Sequence, residues 1–292
     1  MRVTQSMLSN NFLKNISNSY EKMGKISEQM QTQKKITRPS DDPVVAMKGI
    51  AYRTSLTEVQ QFKRNFSEAH NWLDNTDAAL DQATKALQRI RELTVKAANG
   101  TLESDQREAV AKEIEQLRDQ LKEIGNTQVG DKYLFNGTDT LNKPIGDIAN
   151  NPSDVSNNSN SVKLELSKGV YIEVNSTDVF NKDLFEGLNK LVDDLKSGND
   201  QVDLNDSIVD IDKSINHIIN ERATVGARSN RIDLMEDRID QQEINATKMM
   251  SKNEDVDMEK VITDLITQEA VQRASLGMGA RIIQPTLLDF LR

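Results

Sequence analysis

Apolar residues return at every seventh position along two long stretches of this chain. Val59, Phe66, Leu73, Leu80 and Leu87 are seven apart. Phe62, Ala69, Ala83, Ile90 and Ala97 fill the companion position three later, with polar Thr76 in the remaining slot. Leu204, Ile211, Ile218, Val225, Ile232, Ile239 and Ala246 repeat the rhythm, and Ile208 and Ile215 widen it. There the companion position later turns polar, at Arg222 and Ser229, so the seam narrows around Gly226, a weak point. A seven-residue repeat over such lengths predicts long helices in a coiled-coil-like bundle.

Two shorter stripes accompany them. Val110, Ile114, Leu117, Leu121 and Ile124 alternate steps of four and three, with Ser104 expected as the cap and Gly125 as the stop. Leu184, Leu188, Leu191 and Leu195 form another stripe from Asp183 to Gly198. Between these helices the period changes to two. Val162, Leu164 and Leu166, then Val170, Ile172 and Val174, alternate with polar residues around Lys168-Gly169, which predicts a hairpin with one buried face. Tyr133-Leu134-Phe135 before Asn136-Gly137 reads as a short strand entering a turn.

The prolines mark the joints. They stand at 39, 43, 144, 152 and 285 only. Asp42 is a good cap and Pro43 suits a first turn, so a helix should start there and run to Asn99-Gly100, roughly 80 Å at 1.5 Å per residue. Arg38, Pro39, Asp42 and Pro43 are the candidate joint residues. Polar residues 247–257 are expected as a second joint.

Beyond the joints lie two amphipathic ends. Phe12, Ile16, Met23, Ile26 and Met30 occupy heptad positions, with Ser19 interrupting. Met258, Val261, Ile262, Leu265, Ile266 and Ala270 recur at threes and fours, and Leu287, Leu288, Phe290 and Leu291 close the chain. Five or six such side chains contribute roughly 10–15 kcal/mol at most. Ordering a 30-residue arm costs about 1–2 kcal/mol per residue before hydrogen bonds. A lone arm is therefore expected to fray until something covers it. The element order is nearly a mirror image about the hairpin, so the two ends should pair side by side.

The expected fold class is mainly α: a long helical coiled-coil bundle with paired terminal helices and a small β-rich outer insert. The expected division is 1–42 plus 248–292 as a terminal helical domain, 43–137 plus 183–247 as the bundle, and 138–182 as a β-rich surface domain. With 292 residues, 28% charged and 4% aromatic, the chain suits long solvated helices better than one thick core. Net charge is −9, which disfavours nucleic acid as a partner. Residues 139–213 hold 15 acidic and 7 basic side chains, whereas residues 1–38 hold 7 basic and 2 acidic. An acidic middle should face water and a basic start should meet something else.

The chemistry is sparse. Cysteine is absent, which excludes disulfides and thiolate metal sites. No apolar run approaches 18 residues, so no helix should span a membrane, and the start lacks a secretory apolar region. His70 and His217 each stand alone on a long helix. Neither Gly-x-Ser-x-Gly nor a phosphate-cradling Gly-x-x-x-x-Gly-Lys occurs. The acidic cluster Asp193, Asp194, Asp200, Asp203 and Asp206 lacks calcium-loop spacing. No catalytic residue, metal or cofactor is expected, and the chain does not read as an enzyme.

A specific pattern remains. Ile36-Thr37-Arg38-Pro39-Ser40-Asp41-Asp42-Pro43, after a basic amphipathic start, resembles the hook-filament junction (hook-associated protein 3, FlgL) family of the flagellin superfamily. Tyr133-Leu134-Phe135-Asn136-Gly137-Thr138, the stretch from Ala223 to Arg231, and the Leu287–Leu291 end resemble it too. The resemblance covers about 1–140 and 190–292 and fades in the insert. It implies an inner layer of paired terminal helices, a helical bundle outside it and a variable surface domain. It implies export through the flagellar type III channel, without a cleaved signal peptide and guided by a chaperone. It further implies a self-assembled extracellular ring between hook-associated protein 1 and the flagellin filament. On this basis Phe12, Ile16, Met23, Ile26, Met30, Val261, Leu265, Leu276, Leu287, Leu288, Phe290 and Leu291 are the candidate assembly residues. Two other readings stand beside it: a flagellin filament subunit, and a cytoplasmic coiled-coil adaptor.

Overall fold

A computed structural model describes all residues except 1–4, 99–102, 149–150, 152–153, 157, 198–203 and 284–292. The chain is mainly α. Its elements run α1 (Gln5–Thr32), α2 (Pro43–Ala98), α3 (Ser104–Gly125), β1 (Gln128–Val129), β2 (Lys132–Tyr133), β3 (Lys163–Ser167), β4 (Val170–Glu173), α4 (Lys182–Lys196), α5 (Asn205–Glu254) and α6 (Met258–Ile283). Contacts divide them into two units, Met1–Glu58 with Gln242–Arg292, and Val59–Gln241.

In the second unit the heptad residues form the core. Val59, Phe66, Leu73, Leu80 and Leu87 of α2 are buried with Ile211, Ile218, Val225, Ile232 and Ile239 of α5. Thr76 fills its core slot without penalty because its hydroxyl donates to the Trp72 carbonyl at 2.8 Å. Thr84 and Thr94 do the same to Leu80 and Ile90, so three buried hydroxyls are satisfied inside one helix. Where the α5 seam turns polar, Arg222 reaches across to α2, its Nε 2.7 Å from Asp77 Oδ1 and its Nη1 2.6 Å from Asp81 Oδ1. The helix runs unbroken through Gly226.

Helices α3 and α4 pack together. Arg118 Nη1 donates to Asn189 Oδ1 at 2.6 Å, and Asn189 Nδ2 donates to the Ile148 carbonyl at 2.8 Å. Asn181 caps α4, its side chain accepting from the Leu184 amide at 3.0 Å. Ser104 is not the cap of α3: Glu103 occupies that position without a side-chain cap bond, and Ser104 is already helical. The proposed stops at Asn99-Gly100 and Gly198 lie outside the described residues.

Strands β3 and β4 pair antiparallel with an irregularity between Glu165 and Ser167, and Gly169 closes the turn at φ 75°. Leu166, Ile172 and Val174 are buried. The strand expected at Tyr133-Leu134-Phe135 is shorter. Only Lys132–Tyr133 pairs, with Gln128–Val129, after which Leu134 and Phe135 turn into the core. The Phe135 ring meets Phe180 edge-on, with centroids 4.9 Å apart. Residues of the 138–182 segment, among them Ile145, Ile148, Leu166, Ile172 and Val179, belong to the same apolar cluster as the helices.

Candidate assembly interface

In the first unit α1 packs against α6. Phe12, Ile16, Met23, Ile26 and Met30 are half-buried, as is Ser19 between them. The facing positions on α6 are Val261, Leu265, Gln268, Gln272, Ser275 and Gly279, alternating steps of four and three. These are the two sides of one heptad seam. The interrupting Ser19 has a partner, since Gln268 Nε2 donates to its Oγ at 2.7 Å. Gly279 faces the Phe12 ring: a Cβ built on Gly279 would lie 2.0 Å from Phe12 Cζ. The two ends pair as helices side by side, as the mirror-image element order predicts.

The apolar residues of α6 divide between the seam and its two flanks. Val261 is buried and Leu265 half-buried toward α1. Ile262 (45% exposed), Ile266 (63%) and Leu276 (45%) flank the seam on one side, Val271 (50%) and Met278 (64%) on the other, and all five face solvent. Leu276 therefore stands exposed at the edge of the seam. Leu287, Leu288, Phe290 and Leu291 lie outside the described residues. Sequence periodicity had grouped Val261 with Ile262, and Leu265 with Ile266. Only the position of α1 separates them.

The joint residues do backbone work. Asp42 caps α2, its Oδ1 accepting from the Val44 and Val45 amides at 2.9 and 3.1 Å, and Pro43 opens the helix. Arg38, Pro39, Ser40 and Asp41 form a turn in which the Asp41 amide donates to the Arg38 carbonyl at 3.0 Å. Proline at the second turn position presets its φ. Asp41 Oδ2 in return accepts from the Arg38 amide at 3.1 Å. The second joint is shorter than the polar stretch 247–257, because α5 continues to Glu254. A cavity of about 150 Å³ lies between this turn and the start of α2, lined in part by Ile36, Pro39, Val45 and Glu254.

Nothing among the described residues gathers three or more metal-binding side chains. No described helix is long and apolar enough to cross a membrane. His70 Nε2 lies 3.0 Å from Glu236 Oε2 and His217 Nε2 lies 3.1 Å from the Asp178 carbonyl, so each histidine serves packing between elements.

Two family models match. Residues 3–140 match the bacterial flagellin N-terminal helical region, and residues 208–291 match the bacterial flagellin C-terminal helical region. The flagellar hook-associated protein 3 of Escherichia coli (strain K12) is 27% identical, over 94% of this chain and 95% of its own length. A flagellin of Halalkalibacterium halodurans is 24% identical, over 92% and 91%. Among solved structures, hook-associated protein-3 from Legionella pneumophila shares the fold, with a TM-score of 0.62 at 15% identity. It covers 69% of this chain and 98% of that one.

Proposed function

The chain belongs to the bacterial flagellin family, and from that premise we propose that it is the subunit that joins the flagellar hook to the filament. Its relatives are structural flagellar proteins rather than enzymes, and the chain is a flagellar hook-associated protein of that kind. The finer reading is that, after type III export with a chaperone and without a cleaved signal, copies form a ring outside the cell. That ring would bind hook-associated protein 1 on one side and flagellin on the other.

The observation that carries this reading is the exposed apolar side chains along α6. A chain that seals one apolar seam between its ends and leaves Ile262, Ile266, Val271, Leu276 and Met278 in water has a surface suited to further copies of such helices. In this reading residues 1–42 and 248–292 form the inner layer, 43–137 with 183–247 the bundle outside it, and 138–182 the outermost surface. Phe12, Ile16, Met23, Ile26, Met30, Val261 and Leu265 shape the inner pair. Leu276 and the Leu287–Leu291 tail meet neighbours.

The filament-subunit alternative has less support, because the hook-associated relative matches at higher identity than the flagellin, 27% against 24%. A deletion strain separates them. A junction role requires normal hooks, no attached filaments and flagellin released into the medium. Purified chain that polymerises unaided into long filaments would establish the alternative instead.

A further inference from the structure

Helices α2 and α5 run antiparallel through the second unit, and pairs between their side chains mark one alignment. Lys63 Nζ lies 2.9 Å from Asp240 Oδ1, His70 Nε2 lies 3.0 Å from Glu236 Oε2, and Arg91 Nε lies 2.5 Å from Asp212 Oδ1. Midway, Arg222 grips two carboxylates of α2. Its Nε and Nη2 donate to Asp77 at 2.7 and 3.2 Å, and its Nη1 donates to Asp81 at 2.6 Å.

The apolar core by itself does not choose that alignment. Val59, Phe66, Leu73, Leu80 and Leu87 share one period with Ile211, Ile218, Val225, Ile232 and Ile239. A slide of one heptad, about 10 Å, brings apolar slots onto apolar slots again. The polar partners do not survive it. Slid one way, Arg222 would face Thr84 and Gln88, Asp212 would face Ala98, and Glu236 would meet Asp77, leaving Asp240 with His70. Slid the other way, Asp240 would face Leu56 and Asp212 would face Thr84. Glu236 would then gain Lys63, and Arg222 would exchange its two carboxylates for His70 and Asp74.

We infer that Arg222 is the positioning residue that selects the register of the α2/α5 pair. It stands in a slot of the seam that Ile215 and Ile208 hold one and two heptads earlier. A cation in an otherwise apolar seam gives up burial there, and it excludes the alignments that leave it without its carboxylates. The inference concerns the bundle alone and stands apart from the assembly reading.

The full chain contains no cysteine. Gln60→Cys on α2 and Asn220→Cys on α5, both at exposed positions, therefore take a nitroxide pair without background labelling. After refolding from denaturant, electron spin resonance should give one distance peak. Arg222→Leu should add a second peak about 10 Å shorter, because the slide that sets Glu236 against Lys63 is the better of the two. The same variant should withstand denaturant as well as the parent, since an apolar side chain replaces a half-buried ion pair at little cost. A single peak in Arg222→Leu, at any stability, would overturn the inference. It would assign the register to the insert, which touches both helices through Asn65 and Arg228. If Arg222→Leu lowers total helicity by circular dichroism, Asp77→Asn with Asp81→Asn decides by the same two peaks.

Discussion

The Phe12 ring lies over Gly279, in the space that any larger residue at 279 would claim for its Cβ. A helix interior ordinarily prefers alanine to glycine by about 1 kcal/mol. Here the sign should reverse. Gly279→Ala must push the ring out of the seam, an overpacking cost of about 1–3 kcal/mol. We expect faster amide exchange along α1 in Gly279→Ala and recovery when it is combined with Phe12→Leu. Slower exchange in the single variant would mean that helix propensity dominates and the notch has no role.

The exposed and buried sides of α5 give an adjacent pair of controls. Ile218 is 1% exposed and Ile219 45% exposed. Ile218→Ala should cost about 2–4 kcal/mol in chemical unfolding, from lost burial and the cavity left behind. Ile219→Ala should stay within about 0.5 kcal/mol.

Assembly and folding should separate on α6. Ile262→Ser with Ile266→Ser, on one exposed flank of the seam, should leave the isolated chain as helical as before while cells shed their filaments. Val261→Asp places a charge in the seam against α1 and should disorder the pair itself. Motile cells carrying the double serine variant would remove that flank from the account of assembly.

Acid and base should both loosen the Lys34–Asp255 bridge. The hydrogen bond from Lys34 holds the Asp255 carboxyl below its usual range, and the hydrogen bond to Asp255 raises the Lys34 ammonium above its own. A depressed carboxyl contributes stability above its unfolded-state value and loses it as pH falls through the folded one, here below about pH 4. A raised ammonium contributes below its unfolded-state value and loses it as pH rises through the folded one, above about pH 10. Exchange at the Val256 amide, corrected for intrinsic pH dependence, should accelerate at both extremes. Asp255→Asn should flatten the response.

The helices and the main hairpin were legible because burial imposes a period. Leu73, Leu80 and Ile218 follow the heptad, while Leu166 and Ile172 follow the strand alternation. The start of α2 was legible because Asp42-Pro43 is a local signal. Three features were hidden for physical reasons. The seam of α6 and its flanks are both apolar, so only its partner α1 tells Val261 from Ile262. The Gln268–Ser19 bond pairs polar residues that no periodicity distinguishes from solvent-facing ones. Glu254 read as part of a polar joint because a buried carboxylate resembles an exposed one until Arg53, distant in sequence, closes on it. The candidate site was thus half visible: the seam could be read from one helix at a time, its exposed flanks only from both.

The β insert shares its core with the helices, which bears on how this protein could carry foreign peptides. Asn65 of α2 donates to the Glu165 carbonyl at 2.7 Å, and Arg228 of α5 donates to the Asn175 carbonyl at 2.9 Å. Excising the insert as a cassette would strip the cover from Phe66 and its neighbours and strand those donors. A displayed epitope belongs instead at the Lys168-Gly169 tip, where the chain reverses in solvent and a graft would cost only the exposed bond from the Gly169 amide to Glu165 Oε1.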